Sequence, residues 1–270
     1  MTRWYGSLTA PEVATRITEQ SILCLPLGSY EQHGPHLPLH TDTVIAEGFT
    51  DRLIERYAER HDLWRLATLP YGLSLEHAWA DGTVSLRTGL LADLLIVVVG
   101  EYVRATRSQR LLIVNGHGGN RGLLEAVLYE IEQAHRVRVC AIHPSSLSNV
   151  RVESALPEVH GGTRETSVML ALAPQDVHLD RFDGAHTVDP SQLDEIRRKI
   201  LHRGATWPWS SGDAHITTAG ITGGDPRLAS VELGESVLAS ALLTAGVVLD
   251  DLASTSVADP SDARNGPPCP

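Results

Sequence analysis

Three cysteines in 270 residues, Cys24, Cys140 and Cys269, are odd in number and far apart, which excludes a disulfide framework. Cys24 and Cys140 lie in apolar, strand-like runs and read as small core residues. Basic charge is also scarce. Against 33 Asp and Glu there are 22 Lys and Arg, a formal net charge of −11. So acidic a chain is poorly suited to a phosphate backbone, and no nucleic-acid partner is expected. Long apolar runs are missing: residues 90–99 contain Asp93 and end at Gly100, far short of the roughly 20 residues that span a bilayer. Residues 1–20 are polar, with Pro11 and Glu12 and no apolar signal region. These absences set the expectation of a cytoplasmic protein with no membrane partner. There is no internal repeat.

What is present suffices for one sizeable α/β domain, with 42% of residues apolar. Buried strands are expected at 21–27, 63–69, 111–114 and 137–142. Helices are expected at 9–20, 43–60, 90–107 (largely buried), from an N-cap at Asn120 to 135, at 165–172, at 191–202 and at 230–251. Strands alternating with helices predict a mainly parallel central sheet covered on both faces, a three-layer α/β/α fold. The domain is expected to occupy 1–253, with a Pro-, Asp- and Ser-rich, disordered tail at 254–270.

The chain is organised around Glu31-Gln32-His33-Gly34-Pro35-His36-Leu37-Pro38-Leu39-His40-Thr41-Asp42, between the first strand and the next helix. Glu31 and His33, two apart on extended backbone, point the same way. Gly34, Pro35 and Pro38 force a turn that can return Asp42 toward them. Carboxylate with imidazole suits Zn²⁺, Mn²⁺ or Fe²⁺, and one carboxylate can bridge two ions about 3.5–4 Å apart. The bland alternative is that Asp42 caps the following helix.

Two further clusters follow. In Asn115-Gly116-His117-Gly118-Gly119-Asn120, His117 reads as a ligand with Gly118 and Gly119 clearing space beside it; anion binding at the next helix N-terminus is the alternative. No Gly-Lys-Ser/Thr follows, so it is not a Walker loop. In His160-Gly161-Gly162-Thr163-Arg164-Glu165-Thr166, His160 is accessible enough to move a proton, and Glu165 is either a ligand or part of a capping box. Parallel strands put their carboxyl ends on one rim, bringing Glu31, His33, His117 and His143 together. Gln32, His36 and Asn115 can orient ligands, and His77 and Trp79 can line a substrate pocket. Trp207 and Trp209 either close that pocket or serve packing.

Together these motifs resemble the creatininase family of metal-dependent amidohydrolases. The resemblance runs over about residues 20–250 and includes Gly28-Ser29, Gly82-Thr83 and Gly224-Asp225-Pro226. It implies a binuclear site, two divalent ions per chain, hydrolysis of a C–N bond in an amide, and a homo-oligomer, often a hexamer. By position it makes Glu31, His33, Asp42 and His117 metal ligands, with Asp42 bridging. Glu165 matches a ligand of many members, and His160 the residue that passes a proton to the leaving nitrogen. Gly119 stands where creatininase proper has Glu, and Leu156 where it has Trp. The resemblance therefore extends to the broader family, including formamide hydrolases and the mycofactocin-precursor peptidase branch. A small amide or a short modified peptide is the expected substrate; a non-catalytic nucleotide or phosphate binder is the rival reading.

Overall fold

The computed structural model describes residues 3–202 and 204–254, so the expected tail and Cys269 lie outside the described residues. Helix α1 (Ala10–Arg16) leads into β1 (Ile22–Leu27), followed by α2 (Thr41–His61), β2 (Leu63–Arg65), α3 (Thr88–Thr106) and β3 (Arg110–Asn115). Then come α4 (Arg121–His135), β4 (Arg138–Ile142), α5 (Pro144–Leu147), α6 (Thr163–Leu172), α7 (Leu193–Ile196) and α8 (Val231–Ser254). The four strands are parallel in the order β2-β1-β3-β4.

Side chains alternate across the sheet because strand periodicity is two. Ile22, Cys24, Leu112 and Val114 point to one face and pack against Ile45 and Phe49 of α2 and Val237 and Ala241 of α8. Leu23, Leu25, Leu27, Leu111 and Ile113 point to the other, against Leu91 and Leu95 of α3 and Leu124 and Ile131 of α4. Both faces are covered, so the strands are apolar throughout, as in other parallel sheets. The result is the expected three-layer α/β/α architecture.

Several expected boundaries shift, each for a physical reason. The second strand stops at Arg65 rather than Leu69. Pro26 has no N–H for the carbonyl of Leu66, so the ladder slips and Leu69 N–H reaches Pro26 O at 3.0 Å. Helix α2 begins at Thr41, so Asp42 lies inside its first turn and is not its cap; the N-cap is His40. Asn120 precedes α4 but caps nothing with its side chain. Instead, its amide oxygen accepts from Leu73 N–H and its nitrogen donates to Gly28 O and Asn115 Oδ1.

Helix α3 is not largely buried. Leu91, Leu95 and Val99 are covered, whereas Leu90 and Val97 are exposed. The segment expected as one polar helix at 191–202 is a short 3-10 turn, α7, and a wide π turn over Arg197–Leu201. Helix α8 is the one described helix long and apolar enough to cross a membrane. Its apolar stripe, including Leu238, Ala245 and Leu249, is buried against the sheet and its covering helices.

Candidate metal centre

The site forms at the carboxyl ends of β1 and β3, where α2 and α6 begin. Gly34 adopts a left-handed conformation (φ +69°), which turns the chain between His33 and α2. Gly116 then lets the end of β3 lie against α2: a Cβ there would sit 2.1 Å from Asp42 O. That close approach puts Asp42 beside His117. The first turn of a helix also favours a carboxylate electrostatically.

Asp42 faces two imidazoles with its two oxygens. Oδ1 lies 3.4 Å from His33 Nε2, and Oδ2 lies 3.2 Å from His117 Nδ1. Glu31 Oε1 is 3.2 Å from His117 Nδ1, 3.5 Å from both His160 Nδ1 and His77 Nε2, and 3.9 Å from His33 Nε2. Glu165 Oε2 is 3.8 Å from His33 Nε2. Three sets of possible ligand atoms, each within 4.8 Å of one another, result: Glu31–Asp42–His117, His33–His160–Glu165 and Glu31–His77–His160. Both oxygens of Glu31, Asp42 Oδ2 and His33 Nε2 are buried and have no hydrogen-bond partner among the described residues. Burying such atoms unsatisfied is costly, and divalent cations satisfy this donor set.

Electrostatics reflect the crowding. Burial alone would depress His33, but Asp42, Glu165 and Glu31 outweigh it and push it up to about 10. His117 is likewise raised against its burial by Glu31 and Asp42. Burial opposes ionisation of Asp42, yet His117 and His33 hold it well below the usual carboxylate range. Burial pushes Glu165 up to about 7, with repulsion from Asp42 and Glu31 adding to it. His160 moves the other way: burial, then neighbouring His77 and His33, hold it well below an ordinary histidine. Its Nε2–H donates to Gln32 O at 2.7 Å, which leaves Nδ1 bare and turned toward Glu31.

The other anticipated residues take distinct places. Gln32 is buried, donating from Nε2 to Gly220 O at 2.9 Å and accepting at Oε1 from Gly34 N–H. His36 is buried with Nε2 2.8 Å from Thr166 Oγ1, tying the first motif to α6 rather than joining a ligand set. Asn115 Nδ2 donates to His117 O and approaches His143 Nδ1 at 2.9 Å. His143 therefore reaches the rim but stays outside the ligand clusters. His77 comes closer than a pocket-lining residue, joining one of the possible ligand sets and packing 4.1 Å from the His160 ring. Trp79 is more than half exposed and donates to Ser211 Oγ without lining the cavity; Trp209 lines it instead.

A cavity of ≈ 420 Å³ opens onto Glu31, Asp42, His117, His160 and Glu165, with Gly118 and Gly119 in its wall. Glu76, not anticipated as a site residue, also lines it. A Cβ on Gly119 would lie 2.7 Å from Glu76 Oε1 and 2.4 Å from His117 Nε2. The carboxylate of Glu76 thus occupies space beside position 119, where creatininase proper carries its own Glu. The clue lay in the adjacent Glu76-His77 pair. Ser211 was missed as well: its hydroxyl meets Gln32, His77 and Trp79 in one buried hub, far from any motif in sequence. Leu156 is buried in a separate apolar cluster with Ile196 and Ile216.

A parallel α/β/α sheet with carboxylates and imidazoles converging at its carboxyl edge defines a metal-site hydrolase class. Comparison with known proteins identifies the family. The family described as Creatininase, Creatinine amidohydrolase, matches residues 6–246. The mycofactocin precursor peptide peptidase of Mycolicibacterium smegmatis is 34% identical over 226 residues, covering 81% of this chain and 80% of that protein. The creatinine amidohydrolase of Pseudomonas putida is 29% identical over 197 residues, covering 65% of this chain and 74% of its own. A solved structure named "Creatininase Mn" aligns with a TM-score of 0.75 at 24% identity, covering 94% of this chain and all of the other. The chain belongs to the creatininase family and is an amidohydrolase, acting on C–N bonds, with a metal-binding cluster of residues.

Proposed function

We propose that this protein hydrolyses an amide bond at a site whose residues, with Asp42 shared between two clusters, would hold two divalent ions, Zn²⁺, Mn²⁺ or Fe²⁺. The observation that carries the reading is the split of the Asp42 carboxylate, with one oxygen toward His33 and the other toward His117. Glu31, Asp42 and His117 would hold one ion, and His33, Asp42 and Glu165 the other. Ions bound there supply Lewis acidity, lowering the pKa of water toward neutrality and polarising a carbonyl.

The chain's own residues manage orientation and protons. His160 is neutral near pH 7, with Nε2–H fixed on Gln32 O, so Nδ1 is free to accept a proton and pass it to the departing nitrogen. Gln32, Asn115 and His36 hold the motifs in register, and His77 lines the cavity beside His160. Gly118, with open space where a Cβ would stand, leaves room for substrate beside His117, while Gly119 lets Glu76 and His117 pack closely.

The substrate we favour is an amide within a short peptide. The relatives named as peptidases share more identity and more length with this chain than the creatinine amidohydrolase does. Creatinine is disfavoured because Leu156, standing where creatininase proper has Trp, is turned into a core cluster rather than toward the cavity. A cytoplasmic homo-oligomer, a hexamer by family resemblance, with no nucleic-acid or membrane partner, completes the reading.

Metal content per chain, measured after purification and after chelation and reloading, tests it. About two ions per chain are expected, with less than about one in Asp42→Ala. Hydrolysis of N-acylated short peptides should follow the metal content. Absence of bound ions after reloading would refute the binuclear assignment.

A further inference from the structure

A second cavity, of ≈ 490 Å³, adjoins the first and shares His117, Gly118, Arg121, Glu158, Val159 and Glu165 with it. Its far side has a different chemistry, contributed by Arg164 and by His143, Ser145 and Ser146 around α5. In a chain of net charge −11, two arginines lining one hollow stand out. Neither forms an ion pair among the described residues. Arg121 spends only Nη2, donating to Ser146 Oγ at 2.7 Å. Arg164 donates from Nη2 to Val150 O, while its Nη1 is buried and has no hydrogen-bond partner.

The carboxylates nearby are already engaged. Glu158 accepts from the backbone N–H of Gly224 and of Arg164, each at 2.9 Å. Glu165 accepts from Gly161 N–H at 2.6 Å and faces His33. Arg121 therefore keeps guanidinium donors for an incoming anion, and Arg164, whose Nη1 is shielded from solvent, adds its positive charge to the same wall. Guanidinium favours planar oxyanions that accept paired hydrogen bonds. With Glu158 and Glu165 in the same walls, a singly charged carboxylate fits, and a doubly charged phosphate is opposed.

We propose that this second cavity is a carboxylate-recognition subsite, in which Arg121 and Arg164 grip an acidic group of the substrate while the scissile amide lies in the adjoining cavity. The inference rests on the amidohydrolase reading and deepens it: the substrate is an amide bearing a carboxylate on one side, such as the free C-terminal end of a peptide. Hydrolysis adds water across the C–N bond, oxygen to the acyl carbon and a proton to the nitrogen, and needs no other reactant. Arg121 lines both cavities, which places it between the anchored group and the bond to be cut.

The test compares an N-acetylated tripeptide with a free C-terminal carboxylate and the same peptide as its C-terminal amide. Binding is measured calorimetrically on metal-free and metal-loaded protein. The acid should bind about tenfold more tightly than the amide in both forms. That ratio should fall toward one in Arg121→Met and in Arg164→Met, and be partly kept in Arg121→Lys. Inorganic phosphate should displace the acid only weakly. Equal binding of acid and amide, or a ratio unchanged in both Met variants, would overturn the subsite. So would an acid preference that vanishes with the metal, since the carboxylate would then be held by ions. Failure of the loaded protein to cleave either peptide would count against the peptide-hydrolase reading, while the binding ratio would still decide the subsite.

Discussion

At the scale of single residues, the protonation of the imidazoles governs the behaviour of the site. His33, pushed up to about 10, and His117, also raised, carry protons in the metal-free protein near neutral pH. A ligating imidazole must be neutral, so metal loading should expel about two protons per chain. Calorimetric titrations at pH 7 in buffers of different ionisation enthalpy will measure that release; no dependence on buffer would show that these histidines are neutral before metal binds. Stability follows the same linkage. The folded pKa of His33 exceeds the unfolded value of about 6.5, so its contribution is complete below that pH and is lost as pH rises through about 10. Thermal unfolding of the metal-free protein should therefore weaken between pH 6.5 and about 10 more steeply than that of the loaded protein.

In the proposed reading His160 moves a proton and holds no ion, although it lies in two of the three possible ligand sets. Its burial and its bond to Gln32 O keep it neutral and oriented. His160→Ala should lower kcat by about 10²–10⁴-fold while metal content is retained. Full turnover in that variant would remove it from the proton path. Glu31, His33 and Asp42 were legible as a group because carboxylates and imidazoles recur within one short stretch, and His117 because it stands alone among glycines in its own motif. Arg121 was not, since it is an ordinary charged residue until the fold sets it beside the cavity, and Glu76 was marked only by its neighbour His77.

At the scale of elements, close approaches decide the geometry. Helices α6 and α8 cross where Gly234 meets the α6 backbone; a Cβ there would sit 1.9 Å from Ser167 O. Alanine gains about 1 kcal/mol of helix propensity but must push a backbone carbonyl aside. Overpacking of this kind costs about 1–3 kcal/mol, so Gly234→Ala should be net destabilising in denaturant unfolding. Because α6 carries Glu165 in its first turn, the same variant should weaken metal retention. An unfolding midpoint equal to or above that of the parent would refute the close crossing. Strand and helix identity could be read from periodicity, but strand ends could not. The early end of β2 depends on which neighbour lacks an N–H, and Pro26 acquires that meaning only when paired.

At the scale of the whole molecule, metal and fold should stabilise one another. The proposed ligands come from the loop after β1, from α2, from the end of β3 and from α6, so bound ions would tie four segments together. Chelation should lower the melting temperature and re-addition restore it, by an amount corresponding to about 2.7 kcal/mol when free metal exceeds the dissociation constant a hundredfold. An unchanged melting temperature would argue against ions at this place. Exposed Val97 on α3, Tyr129 on α4 and Leu243 and Val247 on α8 leave apolar surface outside the core. Size measurement in solution should accordingly return a mass above the 29.2 kDa of one chain; a monomer would refute the oligomer.

Local chemistry in the chain was enough to specify a parallel α/β/α layer structure, a carboxylate–imidazole cluster and a family, because periodicity and short-range motifs are properties of neighbouring residues. Folding settled matters that depend on distance through space. The two oxygens of Asp42 divide between His33 and His117 because Gly116 lets α2 close on β3. His77 lines the cavity as expected and also joins one possible ligand set, and His143 stays outside those sets. Two arginines line one cavity beside the carboxylate–imidazole cluster although 43 positions separate Arg121 from Arg164. Such pairings are set by the packing of helices against both faces of one sheet, which no local pattern encodes.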